Sequence, residues 1–299
     1  MSQGFVESEE IQFKLPEGIS VAGKSWGDND ATINIIAVHG FLDSAASFDR
    51  LAPLLVQNSN NAIRVIAIDL SGHGKSSHRP DHTTYFTSWI TEVLTVADAM
   101  GWSKFTIMAH SMGTGIAIIT AGAVPNRIEH VILLDAIGPG SVSPEEAPIR
   151  LEKALAQRLR LLEKKPRTYP SIESLVDRML KADSQLTEDS AKLLVGRSAQ
   201  RLANGVRFSH DPRLRGIPAG VPLTEPEVLE FIKRIKVPSL IIWASYRWYP
   251  LNIDKNTKRQ STFPDLRVAN VEGNHHVHLE HPERVLPHIL DLLLPKAKL

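Results

Sequence analysis

The 299-residue chain contains no cysteine. That excludes disulfide staples, thiolate nucleophiles and any zinc or iron–sulfur site built on cysteine, while leaving the compartment open. Nor does any apolar run reach the ~18 residues needed to cross a bilayer. The opening residues, MSQGFVESEEIQF, carry acids where a secretory signal has a basic segment and then an apolar one. A cytoplasmic protein without an integral membrane segment is therefore the expectation. Charge of one sign is also missing, because 34 Lys plus Arg stand against 33 Asp plus Glu. So even a balance provides no global field to draw the protein to nucleic acid or to anionic lipid. With 42% hydrophobic and 22% charged residues, the composition is that of an ordinary globular protein. Its length suits one α/β domain carrying an insertion, or two smaller domains; the oligomeric state is left open.

What is present is an ordered alternation. Residues 33–38, 64–69, 105–109 and 130–134 are apolar nearly throughout, as strands buried on both faces of a parallel sheet should be. Between them, residues 47–55, 85–100 and 112–124 have helical spacing or composition, the βαβ pattern of a mostly parallel sheet with helices on both faces. Ahead of these, residues 11–15 and 19–26, split by Pro16-Glu17-Gly18, predict an antiparallel hairpin at a sheet edge. From about 139 to 236 strands vanish from the pattern and charge rises. Three helices are predicted there, at 151–165, 171–182 and 187–198, the last opening on Thr187 as N-cap. Strand-like runs resume at 237–243 and 266–271, and residues 282–294 close as a helix. The economical division is a core of 1–137 plus 237–299, interrupted by a helical lid over 138–236.

Three segments carry chemistry. In the first, FTIMAHSMGTG, a buried strand ends in Ala109-His110-Ser111-Met112-Gly113 and a helix follows at once, the context of a nucleophile elbow. Such a turn exposes Ser111 Oγ and demands small residues two before and two after it. Here the first of these is Ala109 instead of glycine. In the second, Val38-His39-Gly40-Phe41 follows another buried strand, and glycine lets the next N–H turn into the cleft. An oxyanion hole needs two preorganised donors, for which the backbone N–H groups of Phe41 and Met112 are the candidates. His39 reads as a histidine that holds this loop. The third is Glu272-Gly273-Asn274-His275-His276-Val277-His278-Leu279-Glu280-His281, after the last strand. A serine hydroxyl is barely nucleophilic without a base, and His275 is placed to be that base, in the chain order Ser first and His last. His276, His278 and His281 invite a metal reading, but no HExxH-type spacing occurs and no partner carboxylate is identifiable, so no metal or cofactor is expected. His278 reads as lining or stabilising the loop.

Together with Asp69-Leu70-Ser71-Gly72-His73-Gly74-Lys75-Ser76, these segments resemble the α/β-hydrolase superfamily. More closely, HGFLDSAASFDRLAPLL, AHSMGTG and GNHHVHLEHPE resemble its serine hydrolase-like proteins. The resemblance spans nearly the whole chain and is weakest over the insertion, which corresponds to the family's cap. It implies an eight-stranded, mostly parallel sheet, Ser111 as nucleophile and His275 as base, and it names no substrate.

The chain departs from that pattern at the triad acid. Where most members place an aspartate after the penultimate strand, this sequence has Trp248, and no carboxylate follows until Asp254. Asp135, at the end of the 130–134 strand, matches the position used by the resembling haloalkane dehalogenases and is favoured over Asp254; Asp69 is by resemblance structural. Serine instead of aspartate at 111 directs the chemistry to acyl transfer, so the leading expectation is hydrolysis of a small or medium carboxylic ester. The alternatives are a thioesterase, a carbon–carbon bond hydrolase or a cofactor-free oxygenase on the same fold, or a ligand-binding protein with impaired turnover. Lid arginines such as Arg178 and Arg197 are candidates to recognise an anionic substrate group, and Trp243, Tyr246, Trp248 and Tyr249 to line an acyl pocket or to pack beneath the lid.

Overall fold

In the computed structural model, which describes residues 6–80, 85–162, 166–216, 223–246 and 252–294, the apolar runs form the strands of one sheet. These are β1 (Glu9–Lys14), β2 (Ser20–Trp26), β3 (Ile33–Val38), β4 (Ile63–Ile68), β5 (Phe105–His110) and β6 (Ile128–Leu134). Four short strands follow, β7 (Ser141–Val142), β8 (Ala199–Leu202), β9 (Gly205–Phe208) and β10 (Leu223–Thr224), before β11 (Ser239–Ala244) and β12 (Leu266–Val271) return to the main sheet. Its order is β1-β2-β4-β3-β5-β6-β11-β12. Only β2 runs antiparallel to its neighbours, and every other adjacent pair is parallel. This is the eight-stranded, mostly parallel sheet of the α/β-hydrolase fold.

The helices are α1 (Leu51–Asn58), α2 (Tyr85–Ala99), α3 (Met112–Ala123), α4 (Glu146–Leu162), α5 (Ile172–Leu180), α6 (Glu188–Ser198), α7 (Glu225–Lys233), α8 (Ile253–Thr262), α9 (Val277–Glu280) and α10 (Pro282–Leu293). All six residues of β4 and of β5 are buried, because helices cover both faces. The period of two divides each strand between two cores. Ile36 and Val38 of β3 pack with Val93 of α2, Ile116 of α3 and Val228 of α7. Ile35 and Ala37 face the other way, toward Phe48, Leu51 and Leu55 on one side and Val285 and Ile289 of α10 on the other. At roughly 1.5–3 kcal/mol for each fully buried aliphatic or aromatic side chain, these two layers hold the strand ends in place.

Three expectations need correction. The helix expected over 47–55 is a 3-10 turn, Ala45–Phe48, followed by α1, whose first turn accommodates Pro53 because no N–H is needed there. The 139–236 region is not strand-free: β8 and β9 form an antiparallel hairpin around Ala203-Asn204, with Gly205 opening β9 at φ +140, and β7 pairs with β10. Finally, α7 falls inside the span expected as lid yet packs on α3, so closely that a Cβ on Gly122 would lie 2.5 Å from the Phe231 carbonyl oxygen.

The inserted helices α5 and α6 have a small core of their own, in which Leu175, Leu194, Val195 and Val206 meet Ala46 and Leu279 from the main body. Thr187 caps α6 as expected, and Glu280 accepts hydrogen bonds from its N–H (2.7 Å) and its hydroxyl (2.8 Å). Arg197, at the end of α6, reaches the buried Asp69 carboxylate at 2.9 Å and Glu10 of β1 at 2.7 Å. Asp69 also accepts from the N–H groups of Ala45 and Lys75. It is a structural carboxylate that fastens the insertion to the sheet.

Candidate active site

Ser111 lies between β5 and α3 at φ 51, ψ −118, a conformation that costs a non-glycine residue on the order of 1–3 kcal/mol. The neighbouring packing imposes it. A Cβ on Gly113 would sit 2.5 Å from the Val38 carbonyl oxygen and 2.8 Å from that of His39, so only glycine allows α3 to start this close to the end of β3. Asp135, directly after β6, is likewise at φ 52, and Leu42, in the loop after β3, at φ 59. Apart from Asn60 and Asn61, these three are the positive-φ non-glycine residues among those described, and all are at or beside one cleft.

The cleft brings together residues far apart in the chain. His275 Nε2 is 2.9 Å from Ser111 Oγ, and His275 Nδ1 is 2.7 Å from Asp135 Oδ2. A carboxylate only accepts, so Nδ1–H donates to Asp135 and Nε2 is left to accept from the serine hydroxyl. Asp135 is itself held at two points along the facing edge of β11: its N–H donates to the Ile242 carbonyl at 2.8 Å, and its Oδ1 accepts from the Ala244 N–H at 2.8 Å. The carboxylate is fully buried. Asp254, the competing candidate, is exposed in the first turn of α8. Trp248 and Tyr249 lie outside the described residues.

Phe41 and Met112 border the same cleft. Met112 is the first residue of α3, where backbone N–H groups have no carbonyl one turn back to bond to. A cavity of about 1000 Å³ opens above Ser111, walled on the sheet side by Phe41, Leu42 and Met112 and on the insertion side by Tyr169, Met179 and Phe208. Arg167 and Arg178 also border it. Trp243 packs in the main core and Tyr246 is exposed, and neither borders the cavity.

His39 holds its loop: Nδ1–H donates to the Gly40 carbonyl at 2.7 Å and Nε2 accepts from the Leu70 N–H at 3.1 Å. His278 is buried, with Nε2 2.7 Å from Ser47 Oγ, and burial next to other histidines pushes it down to about 3. His110, buried under the elbow, is likewise held well below its ordinary value by burial and by the surrounding histidines.

The sequence offers His276 only within the unsupported metal reading alongside His278 and His281, and gives no role to Asp43 or Asp183. His276 sits between the two carboxylates, 3.7 Å from Asp43 and 3.3 Å from Asp183. Burial works against its charge, but the paired carboxylates outweigh it and raise the imidazole to about 9. The only signal was Asp43 within the loop motif. Asp183 lies in the insertion, 93 residues from His276, and no spacing rule links them.

Residues 33–282 match the model of the alpha/beta hydrolase fold. The whole chain is 33% identical to a serine hydrolase-like protein of Dictyostelium discoideum, covering 85% of it. Over 95% of its length it is 31% identical to a probable serine hydrolase of Drosophila melanogaster, covering 87% of that protein. A crystal structure of a hypothetical protein from Pseudomonas aeruginosa PAO1 superposes with a TM-score of 0.85 at 30% identity, over 95% of this chain and 98% of that one. The thioesterase domain from the curacin biosynthetic pathway shares the fold, with a TM-score of 0.82 at 24% identity over 95% and 99% of the two chains. On sequence and architecture together, this chain belongs to the α/β-hydrolase fold family and is related to its serine hydrolase-like proteins.

Proposed function

We propose that the protein is a serine hydrolase that cleaves a small or medium carboxylic ester through an acyl-enzyme on Ser111. The observation that carries this reading is the unbroken hydrogen-bond chain Ser111–His275–Asp135, built on two strained backbone positions. Ser111 Oγ attacks the ester carbonyl carbon as its proton passes to His275 Nε2, and Asp135 stabilises the resulting imidazolium. The N–H groups of Phe41 and Met112 receive the tetrahedral oxyanion, each such donor being worth ~3 kcal/mol when removed from a comparable site. Collapse breaks the carbon–oxygen bond to the leaving alcohol, which takes the proton from His275. Water, deprotonated by the same imidazole, then attacks the acyl-enzyme and frees the acid and Ser111. Every step uses side chains and backbone groups of this chain.

The apolar lining contributed by Leu42, Met112, Met179 and Phe208 supports an apolar acyl or alcohol group in the substrate. The insertion walls the cavity on one side, and we assign it the role of a lid that sets substrate range. The Asp135 contact with His275 supports a hydrolase that turns over in preference to a binding-only protein. A panel of short- to long-chain p-nitrophenyl esters, with acyl thioesters alongside, tests the reading. Wild type is expected to show a burst of alcohol release equal to the protein concentration, and Ser111→Ala neither burst nor turnover. Turnover that persists in Ser111→Ala would instead favour base chemistry at His275 without acylation.

A further inference from the structure

Beside the triad lies a second constellation that the hydrolytic steps leave unused. His110 Nε2 is 2.8 Å from the His275 carbonyl oxygen. That oxygen can only accept, so the proton is on Nε2 and Nδ1 presents a bare lone pair. Nδ1 faces the Asp43 Oδ2 atom at 3.9 Å, and among the described residues neither buried atom has a hydrogen-bond partner. Two acceptors face each other in a buried site, and even with the His276 imidazolium beside Asp43 neither atom gains a hydrogen-bond partner; a metal ion there would take the place of the proton on His276 Nε2. His276 brings Nε2 to 3.7 Å from the same Asp43 oxygen, and one ligand atom from each of the three residues lies within 4.8 Å of the others.

We propose that Asp43, His110 and His276 form a binding site for a divalent transition-metal ion of the zinc class. Two imidazoles and one carboxylate are the donor set that such ions favour over magnesium or calcium. Zinc bonds of about 2.0–2.2 Å put two ligands of one ion roughly 3.4 Å apart, so each atom here needs to move by about 1 Å or less. The outer contacts of a metal site are present as well. His110 donates its other N–H to a backbone carbonyl and Asp43 Oδ1 accepts from the Ser44 N–H at 3.0 Å, while the Asp183 carboxylate lies 3.3 Å from His276 Nδ1 as an ion-pair contact without hydrogen-bond geometry. All three ligands border the cavity, which provides an entry path and leaves a fourth position for water. This trio differs from the one visible in the sequence: His278 is engaged with Ser47, and His281 lies beside Glu283 on the surface.

The test is zinc titration of the full chain, stripped with EDTA and then freed of chelator, in competition with a chromophoric zinc indicator. One zinc per chain is expected, in the micromolar range or tighter, with a rise in melting temperature. His276→Gln and Asp43→Asn should abolish the stoichiometric site, Asp183→Asn should weaken it about 10–100-fold, and His281→Gln should leave it unchanged. If Asp43→Asn fails to fold, the half-buried His276→Gln decides alone. Less than one equivalent bound by wild type, or a site that survives His276→Gln, overturns the proposal. Neither result depends on ester hydrolysis, so the metal site and the hydrolase reading stand or fall separately.

Discussion

Replacing Asp135 by asparagine changes one atom in the site and little of its shape. The amide oxygen can still accept from the Ala244 N–H, as Oδ1 does in wild type at 2.8 Å. The amide nitrogen, however, then faces His275 Nδ1, where a carboxylate oxygen stood at 2.7 Å. An NH₂ group donates, so the imidazole moves its proton to Nε2 and points N–H at Ser111, leaving no base for the hydroxyl. The imidazolium formed during acylation also loses its counter-charge. A pair of unit charges about 3 Å apart at an effective dielectric constant of ~20 is worth ~5 kcal/mol, which corresponds to about four orders of magnitude in rate. The expected outcome for Asp135→Asn is therefore a ~10⁴-fold fall in kcat for ester hydrolysis with little change in the urea midpoint, while Asp254→Asn is indistinguishable from wild type. Stopped-flow release of p-nitrophenol measures both acylation and turnover. An Asp135→Asn variant that folds and stays within tenfold of wild type would refute the assigned role of this carboxylate.

Removing the guanidinium with Arg197→Met leaves the buried Asp69 charge with backbone donors alone, and urea unfolding should register a loss of about 3–5 kcal/mol; a loss under about 1 kcal/mol means that the insertion is fastened elsewhere. Gly113→Ala drives a methyl against two backbone carbonyls, so the elbow must shift, and a displacement near 1 Å should lower kcat about 100-fold; wild-type kinetics in that variant contradict the packing argument. Burial holds His39 and His73 below the ordinary imidazole value of 6.5. The unfolded chain therefore binds more protons than the folded one below pH 6.5, and the stability these neutral rings contribute is present above that pH and lost as pH falls toward their folded values. Each should steepen the decline by roughly 1.4 kcal/mol per pH unit in that window, and denaturant melts at pH 7.5 and 5.5 with equal midpoints would be incompatible with neutral buried rings.

How far the sequence could be read depended on the range of the interactions. The segment from β5 through Ser111 into α3 was legible because its requirements are local: a strand buried on both faces, then small residues where backbones touch. Asp135 was legible only through the resemblance that singles out this strand end, since its contact with His275 depends on sheet order. Asp135 follows β6 and His275 follows β12, with β11 between those strands, so 140 residues of chain separate two atoms 2.7 Å apart. The β8–β9 hairpin, closed by the two-residue turn Ala203-Asn204, carries only a weak local signal, Asn204 followed by Gly205, amid charge and helical spacing. The Asp43–His276–Asp183 arrangement joins three loops, and loop geometry has no periodicity to betray it.

The central claim is that Ser111 is an activated nucleophile. Reaction with a fluorophosphonate followed by intact-mass and peptide mass spectrometry tests it most directly. The account requires one adduct per chain, on the peptide carrying Ser111, formed at least about 100-fold more slowly after Asp135→Asn and absent from Ser111→Ala. A folded wild-type protein that takes up no label, or labels equally in Ser111→Ala, would show that the hydrogen-bond chain Ser111–His275–Asp135 does not activate the serine.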